Sequence, residues 1–254
     1  MTQQNITPAS GRLGVLLPGI GAVASTFIAG VMAARRGIHP PIGSVSQMAN
    51  IRLGSREEDR NPLIRDFVSL AELDDLVFGG WDPISPNAME AAKTAGVLQG
   101  ADLEEVAKEL EGIVAMEAVF DEKWVSRLTG VRVKAIPNKW DQALALIDDI
   151  NRFREENDCD RLVMVWCGST EAYQEPSAVH ASVAAFEQGL KDNDPNIAPS
   201  QIYAYAALQC DVPFANGAPN LTTDLDCIVE LSKQRKVPIR SEEHTSELQS
   251  PDHL

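Results

Sequence analysis

RLGVLLPGIGAVASTFIAGVMAARRG, residues 12–37, decides the fold. Arg12 to Pro18 is a short apolar run of the kind that forms a strand buried on both faces. From Ala22 to Gly37 small and apolar residues recur at helical spacing, Arg35 and Arg36 place cations in the last turn, and Gly37 stands where a C-terminal cap belongs. Between strand and helix lies Gly19-Ile20-Gly21-Ala22-Val23-Ala24, a G-x-G-x-x-A pattern. Its first glycine permits a tight turn, its second lets the backbone approach a pyrophosphate, and the small Ala24 allows close helix–strand packing. The amides of the helix's first turn then receive the phosphate charge. The plainer alternative is a glycine turn that only connects two elements. The acidic residue that commonly binds the ribose, about twenty residues on, is missing: between Pro40 and Ser46 only Ser44 and Ser46 offer hydroxyls.

Further along, a second strand is expected around Ile42 to Met48 and a third around Asp75 to Phe78, followed by the turn Gly79-Gly80-Trp81-Asp82-Pro83. Ser85-Pro86 reads as a helix start, running to about Gly96. Residues 102–111 and 120–129 look helical, and Ala143 to Glu156 is a longer amphipathic helix. Arg161 to Cys167 is the clearest central strand, ending in Gly168-Ser169-Thr170. Pro176 to Leu190 reads as a crossover helix, Gln201 to Leu208 as another apolar segment, and Thr223 to Lys236 as a helix returning to a strand at Val237. Strands alternating with helices give an α/β fold, a doubly wound Rossmann-like parallel sheet with helices on both faces.

The chain has 254 residues, 22 Lys+Arg against 37 Asp+Glu, a net charge of −15 and 44% apolar residues. It is long and apolar enough for a core, and too acidic to attract nucleic acid or an anionic membrane without a basic patch, which is not found. Cys159, Cys167, Cys210 and Cys227 fit neither a C-x-x-C pair nor a zinc knuckle and read as reduced thiols. No apolar run reaches membrane-spanning length and MTQQNITPAS lacks the order of a signal peptide, so a soluble, cytoplasmic protein is expected.

From Arg240 the sequence reads RSEEHTSELQSPDHL, with no apolar periodicity. One reading frame of a widely used sequencing adapter encodes this run, which is therefore set apart as non-native. Residues 1–10 then read as an N-terminal extension, 11–239 as a Rossmann-like dinucleotide-binding domain, and 240–254 as a tail. Without His244 and His253 only His39 and His180 remain, too few for a multi-histidine metal site, and no metal is expected.

Two further turns suit a cofactor crevice, because ligands of open α/β sheets lie beyond the carboxyl ends of strands. Asp82 can accept from a ribose or an amide, or simply initiate a helix. The Cys167–Thr170 turn offers backbone donors and hydroxyls, although Cys167 by itself reads as an inert buried thiol. The loop Val212 to Asn220 usually just turns. Adjacent carboxylates such as Asp148-Asp149 point to different sides of their element and read as solvated surface.

Together, LGVLLPGIGAVASTFIAG, GGWDPISPNAMEAA, CDRLVMVWCGSTEAY and YAYAALQCDVPFANGAPNLT resemble the inositol-3-phosphate synthase (myo-inositol-1-phosphate synthase) family in its bacterial form, from about Gly11 to Ile239. The most specific pieces are Gly80 to Asp82, the W-x-x-x-T-E turn at Trp166 to Glu171, and the N-G-x-P-N loop at Asn216 to Asn220. The resemblance implies an NAD-dependent isomerisation of glucose 6-phosphate to 1D-myo-inositol 3-phosphate: oxidation at C5, enolisation, aldol ring closure, and return of the hydride. It implies that Gly19, Ile20, Gly21, Ala22 and Val23 wrap the pyrophosphate and that Asp82 holds the adenosine ribose. Cys167, Gly168, Ser169, Thr170 and Gly217 would line the nicotinamide side.

The sequence differs from the eukaryotic pattern in having Ala22-Val23-Ala24 for two asparagines and a glycine, and Cys167-Gly168-Ser169 for Thr-Ala-Asn, so backbone contacts can survive where side-chain contacts change. The resemblance places catalytic residues, and the homotetramer, in a segment expected after Ile239, so no catalytic residue is assigned and the chain is expected to be an inactive fragment. Two other readings stay open. A different NAD-linked Rossmann dehydrogenase would accumulate NADH, and a noncatalytic module without a cofactor site would give no heat on titration with NAD.

Overall fold

The computed structural model describes residues 10–241; the expectations for residues 1–9 and 242–254 lie outside the described residues. Five strands, β1 (Arg12–Pro18), β2 (Leu76–Trp81), β3 (Cys159–Trp166), β4 (Phe214–Asn216) and β5 (Ile239–Ser241), form one sheet in the order β2-β1-β3-β4-β5. Every pairing is parallel. Arg240 and Ser241, the first two residues of the run set apart in the sequence, complete β5 opposite Ala215 and Asn216.

Successive side chains of a strand point to opposite faces, and β1 divides the core accordingly. Leu16 joins one apolar cluster with Leu146, Ile150, Met164, Phe186, Tyr203 and Phe214. Val15 and Leu17 join another with Ile28, Met32, Phe78, Leu103 and Leu110. Helices α1 (Ala22–Arg35), α4 (Ala88–Ala95) and α5 (Gly100–Gly112) cover the second face. The first is covered by α6 (Lys139–Glu156), α7 (Val183–Lys191), α8 (Pro199–Gln209) and α9 (Asp226–Arg235). A continuous apolar strand is what a sheet covered on both sides requires. Burying each large side chain contributes roughly 1.5–3 kcal/mol.

Several local expectations are corrected. No strand forms at Ile42 to Met48: the segment contains a single helical turn, α2 (Val45–Met48), and Ile42 and Val45 are exposed. A second one-turn helix, α3 (Ile64–Phe67), follows beyond the antiparallel bridges Asn50–Leu63 and Leu53–Arg60. Residues 120–129 are turns rather than a helix. The third expected strand extends to Trp81 and becomes β2. Asn87, not Ser85, caps α4, its side chain accepting from Glu90 N at 2.9 Å. The expected helix at 176–190 is interrupted before Ser182, whose hydroxyl caps α7. Gln201 to Leu208 is helical and buried on all sides, which is why it shows no amphipathic period.

The chain leaves β1 toward β2, whereas β3 lies on β1's other edge. Connections therefore diverge between β1 and β3, and at such a switch point the carboxyl ends of two strands frame a crevice.

Candidate cofactor site

Backbone hydrogen bonds lace the carboxyl ends of the strands together. Gly19 N donates to the Trp81 carbonyl at 2.8 Å, Cys167 N to that of Pro18 at 2.9 Å, and Gly217 N to that of Trp166 at 3.1 Å. The turns after β1, β2, β3 and β4 thus share one rim around a cavity of about 610 Å³. Every residue that the resemblance assigns to the cofactor lines it: Gly19, Ile20, Gly21, Ala22 and Val23 from the first turn, Asp82 from the second, Cys167, Gly168, Ser169 and Thr170 from the third, and Gly217 from the fourth. Small-molecule and cofactor sites run from roughly 300 to 1,000 Å³.

The conformation of the first turn depends on glycine. Gly19 has φ +85°, and a Cβ there would sit 2.4 Å from the Gly168 Cα. Gly21 shows the opposite: a Cβ built on it meets nothing within 4 Å, so open space lies beside the N-cap of α1. No side chain caps α1 and no acidic residue occupies its first turn, which leaves its first amides and the positive end of its dipole for an anion. Ala24 is fully buried in the cluster beneath, as close helix–strand packing requires. Trp166 lines the cavity and its buried indole N–H has no partner among the described residues. Backbone donors, an uncapped helix and an unpaired donor around space of this size fit a dinucleotide.

Two residues have less freedom than their types suggest. The Oδ1 of Asp82 accepts from Ile84 N at 2.9 Å and from Ser85 N at 2.5 Å, so the carboxylate already organises its own turn. Burial raises its pKa, partly offset by those two bonds and by Arg132. Burial also pushes the Cys167 thiol up to about 11, as an inert thiol requires. Ser44 and Ser46 pair with each other at 3.2 Å and do not line the cavity.

Of two further buried carboxylates, one was misread in the sequence and the other named there only as the end of a turn motif. Asp149, read there as solvated, is 3% exposed and accepts from Trp81 Nε1 at 2.8 Å, Lys134 Nζ at 2.7 Å and an Arg152 guanidinium nitrogen at 2.6 Å. Its place on the inward side of α6 was the available signal. Glu171 is 7% exposed and lines the cavity, its carboxylate held by Ser200. Away from the cavity, exposed His39, Asp102 and Glu105 bring ligand-type atoms within 4.8 Å of one another. Among the described residues no helix is long and apolar enough to cross a membrane.

An NAD-binding family model described as myo-inositol-1-phosphate synthase matches residues 13–251. The chain is 47% identical, over 96% of its length, to inositol-3-phosphate synthase 1 of Bacteroides thetaiotaomicron, covering 57% of that protein. It is 30% identical over 92% of its length to the inositol-3-phosphate synthase of Citrus paradisi, covering 49%. The chain therefore spans about half the length of the curated relatives it matches. The crystal structure of inositol-3-phosphate synthase from Caenorhabditis elegans superimposes with a TM-score of 0.83 at 23% identity, covering 91% of this chain and 49% of that one. A myo-inositol-1-phosphate synthase-related protein from Thermotoga maritima gives 0.62 at 21%, covering 90% and 53%. These two structures share the α/β fold. With these relatives named as synthases, the dehydrogenase alternative is not favoured. The crevice at the β1/β3 switch point thus lies within the NAD-binding domain of the myo-inositol-1-phosphate synthase family, to which this chain belongs.

Proposed function

We propose that the crevice holds NAD, with Gly19, Ile20, Gly21, Ala22 and Val23 around the pyrophosphate, Asp82 toward the adenosine ribose, and Cys167, Gly168, Ser169, Thr170 and Gly217 on the nicotinamide side. The observation that carries this reading is the uncapped start of α1 opening into a cavity rimmed by four strand-end turns. There the α1 amides neutralise the diphosphate without lysines, which suits a strongly acidic chain.

The whole protein of which such a domain is part is proposed to convert D-glucose 6-phosphate to 1D-myo-inositol 3-phosphate, as a cytoplasmic homotetramer. Four free cysteines accord with a reducing compartment. Bound NAD supplies the hydride exchange, and this chain's residues orient it. An enolate and a phosphate need cations placed against them. Among the described residues, no lysine or arginine lines the cavity. The chain itself is therefore proposed to bind NAD without completing ring closure.

Isothermal titration of the 254-residue chain with NAD tests the reading. Saturable binding at one site, weakened by Gly19→Val, is expected. Absence of heat, with no shift in melting temperature, sinks it.

A further inference from the structure

Glu171 joins three separate segments of the cavity wall. Its backbone N–H donates to Asn220 Oδ1 at 2.8 Å, and Asn216 Nδ2 donates to the Asn220 carbonyl at 2.8 Å, which ties the turn after β3 to the loop after β4. Its side chain reaches in another direction. Oε1 accepts from Ser200 N at 2.9 Å and Oε2 from the Ser200 hydroxyl at 2.5 Å, and that hydroxyl lies 2.7 Å from the Thr222 hydroxyl. Ser200 is in the first turn of α8, whose N-cap, Ala198, has no side-chain oxygen. Glu171 thus supplies from a distance the acceptor that a serine or aspartate N-cap would otherwise give.

Several facts separate this carboxyl from an ordinary core contact. Glu171, Ser200 and Thr222 are all buried, at 7%, 0% and 0% exposure, so the network is sealed from bulk water. Thr170, Glu171, Pro199, Gly217 and Pro219 nevertheless line the cavity, so a shift of this network moves the wall itself. The groups Glu171 touches on α8 and on the 216–222 loop are uncharged. The charge acting on it from a neighbouring segment is Asp121, which disfavours ionisation as burial does.

We propose that Glu171 is a positioning residue, a buried carboxyl that locks the turn after β3, the start of α8 and the loop after β4 into the shape that receives the cofactor. This rests on the cofactor reading above. Burial pushes its pKa up to about 7, so the lock titrates near neutrality. The protonated carboxyl suits the dry network, and ionisation puts beside the site a negative charge that the two Ser200 hydrogen bonds offset only in part.

Three measurements on the full chain test this. Glu171→Ala should weaken NAD at least tenfold, while Glu171→Gln, which keeps the shape and an acceptor, should stay within threefold of the parent at pH 6. The parent's NAD affinity should fall between pH 6 and pH 8 and that of Glu171→Gln should not, a difference that a purely structural contact would not give. Hydrogen exchange without NAD should show residues 167–171, 199–203 and 216–222 losing protection together in Glu171→Ala. If no variant nor the parent binds NAD, the cofactor reading fails, and the exchange pattern alone decides the lock. Unchanged protection in Glu171→Ala, or identical pH profiles for parent and Glu171→Gln, overturns the proposal.

Discussion

Gly19 and Gly168 meet across the β1/β3 junction so closely that a Cβ on Gly19 would lie 2.4 Å from the Gly168 Cα. The two turns come from distant parts of the sequence, and their backbones touch at the point where the sheet's connections diverge. The rim of the crevice is thus a backbone contact that tolerates no side chain, reinforced by the Cys167 N to Pro18 O hydrogen bond.

Gly19→Ala should therefore cost stability in two ways, through a left-handed φ of +85° and through the clash. A residue forced into such a region costs about 1–3 kcal/mol. Gly30→Ala is the control: it lies exposed within α1, with nothing within 4 Å of a built Cβ. Replacing a mid-helix glycine with alanine should stabilise by roughly 0.5–1 kcal/mol. Urea unfolding of both variants checks the opposite signs.

Asp149 carries the next expectation. Its carboxylate is shared by Trp81, Lys134 and Arg152, so Asp149→Ala leaves a largely buried lysine and an indole N–H unpaired. Removing one partner of a buried pair costs about 3–5 kcal/mol. Asp148→Ala, one residue away on the exposed side of α6, should stay within about 0.5 kcal/mol. Equal effects in chemical denaturation would contradict the burial assigned to Asp149.

The glycine motif, β1, α1 and β3 were legible because each is a local pattern of residue type, whereas the turns at Gly80 to Asp82, Trp166 to Glu171 and Asn216 to Asn220 stood out through the family resemblance. The gathering of the turns on one crevice followed from the rule that ligands lie beyond the carboxyl ends of parallel strands, but the order of the strands was not legible, since it depends on long-range pairing. Asp149 shows the physical limit well. Next to Asp148 it reads as one of a solvated pair, and only the rotation of α6 against the sheet sends one carboxylate in and the other out. Ile42 to Met48 failed for a different reason. Its branched residues suit a strand, but the segment joins none of the five strands of the described sheet and forms a single helical turn instead. α8 lost its helical period by being covered on every side.

Cys167 should react slowly. Desolvation pushes its thiol up to about 11, leaving roughly one molecule in ten thousand as thiolate at pH 7. It is nevertheless only half-buried, whereas Cys159, Cys210 and Cys227 are buried. Peptide mapping after iodoacetamide should find Cys167 labelled first, at a rate rising about tenfold per pH unit up to pH 10. Labelling at the rate of a free cysteine at pH 7 would show that the turn after β3 is open to water.

Stability should also depend on pH through Glu171, whose folded-state pKa is raised from 4.5 to about 7. Below the lower value both folded and unfolded chains keep the proton, and the group has no effect. Between the two the unfolded chain has released it while the folded one retains it, so stability falls by about 1.4 kcal/mol per pH unit. Above the upper value the loss is complete, at about 3 kcal/mol in all. Glu171→Gln has no proton to lose there. The difference in unfolding free energy between parent and variant should accordingly grow in the variant's favour from pH 5 to pH 7.5 and then level off. A difference that stays constant across this range in urea titrations would mean that Glu171 ionises in its pocket as readily as it does in water.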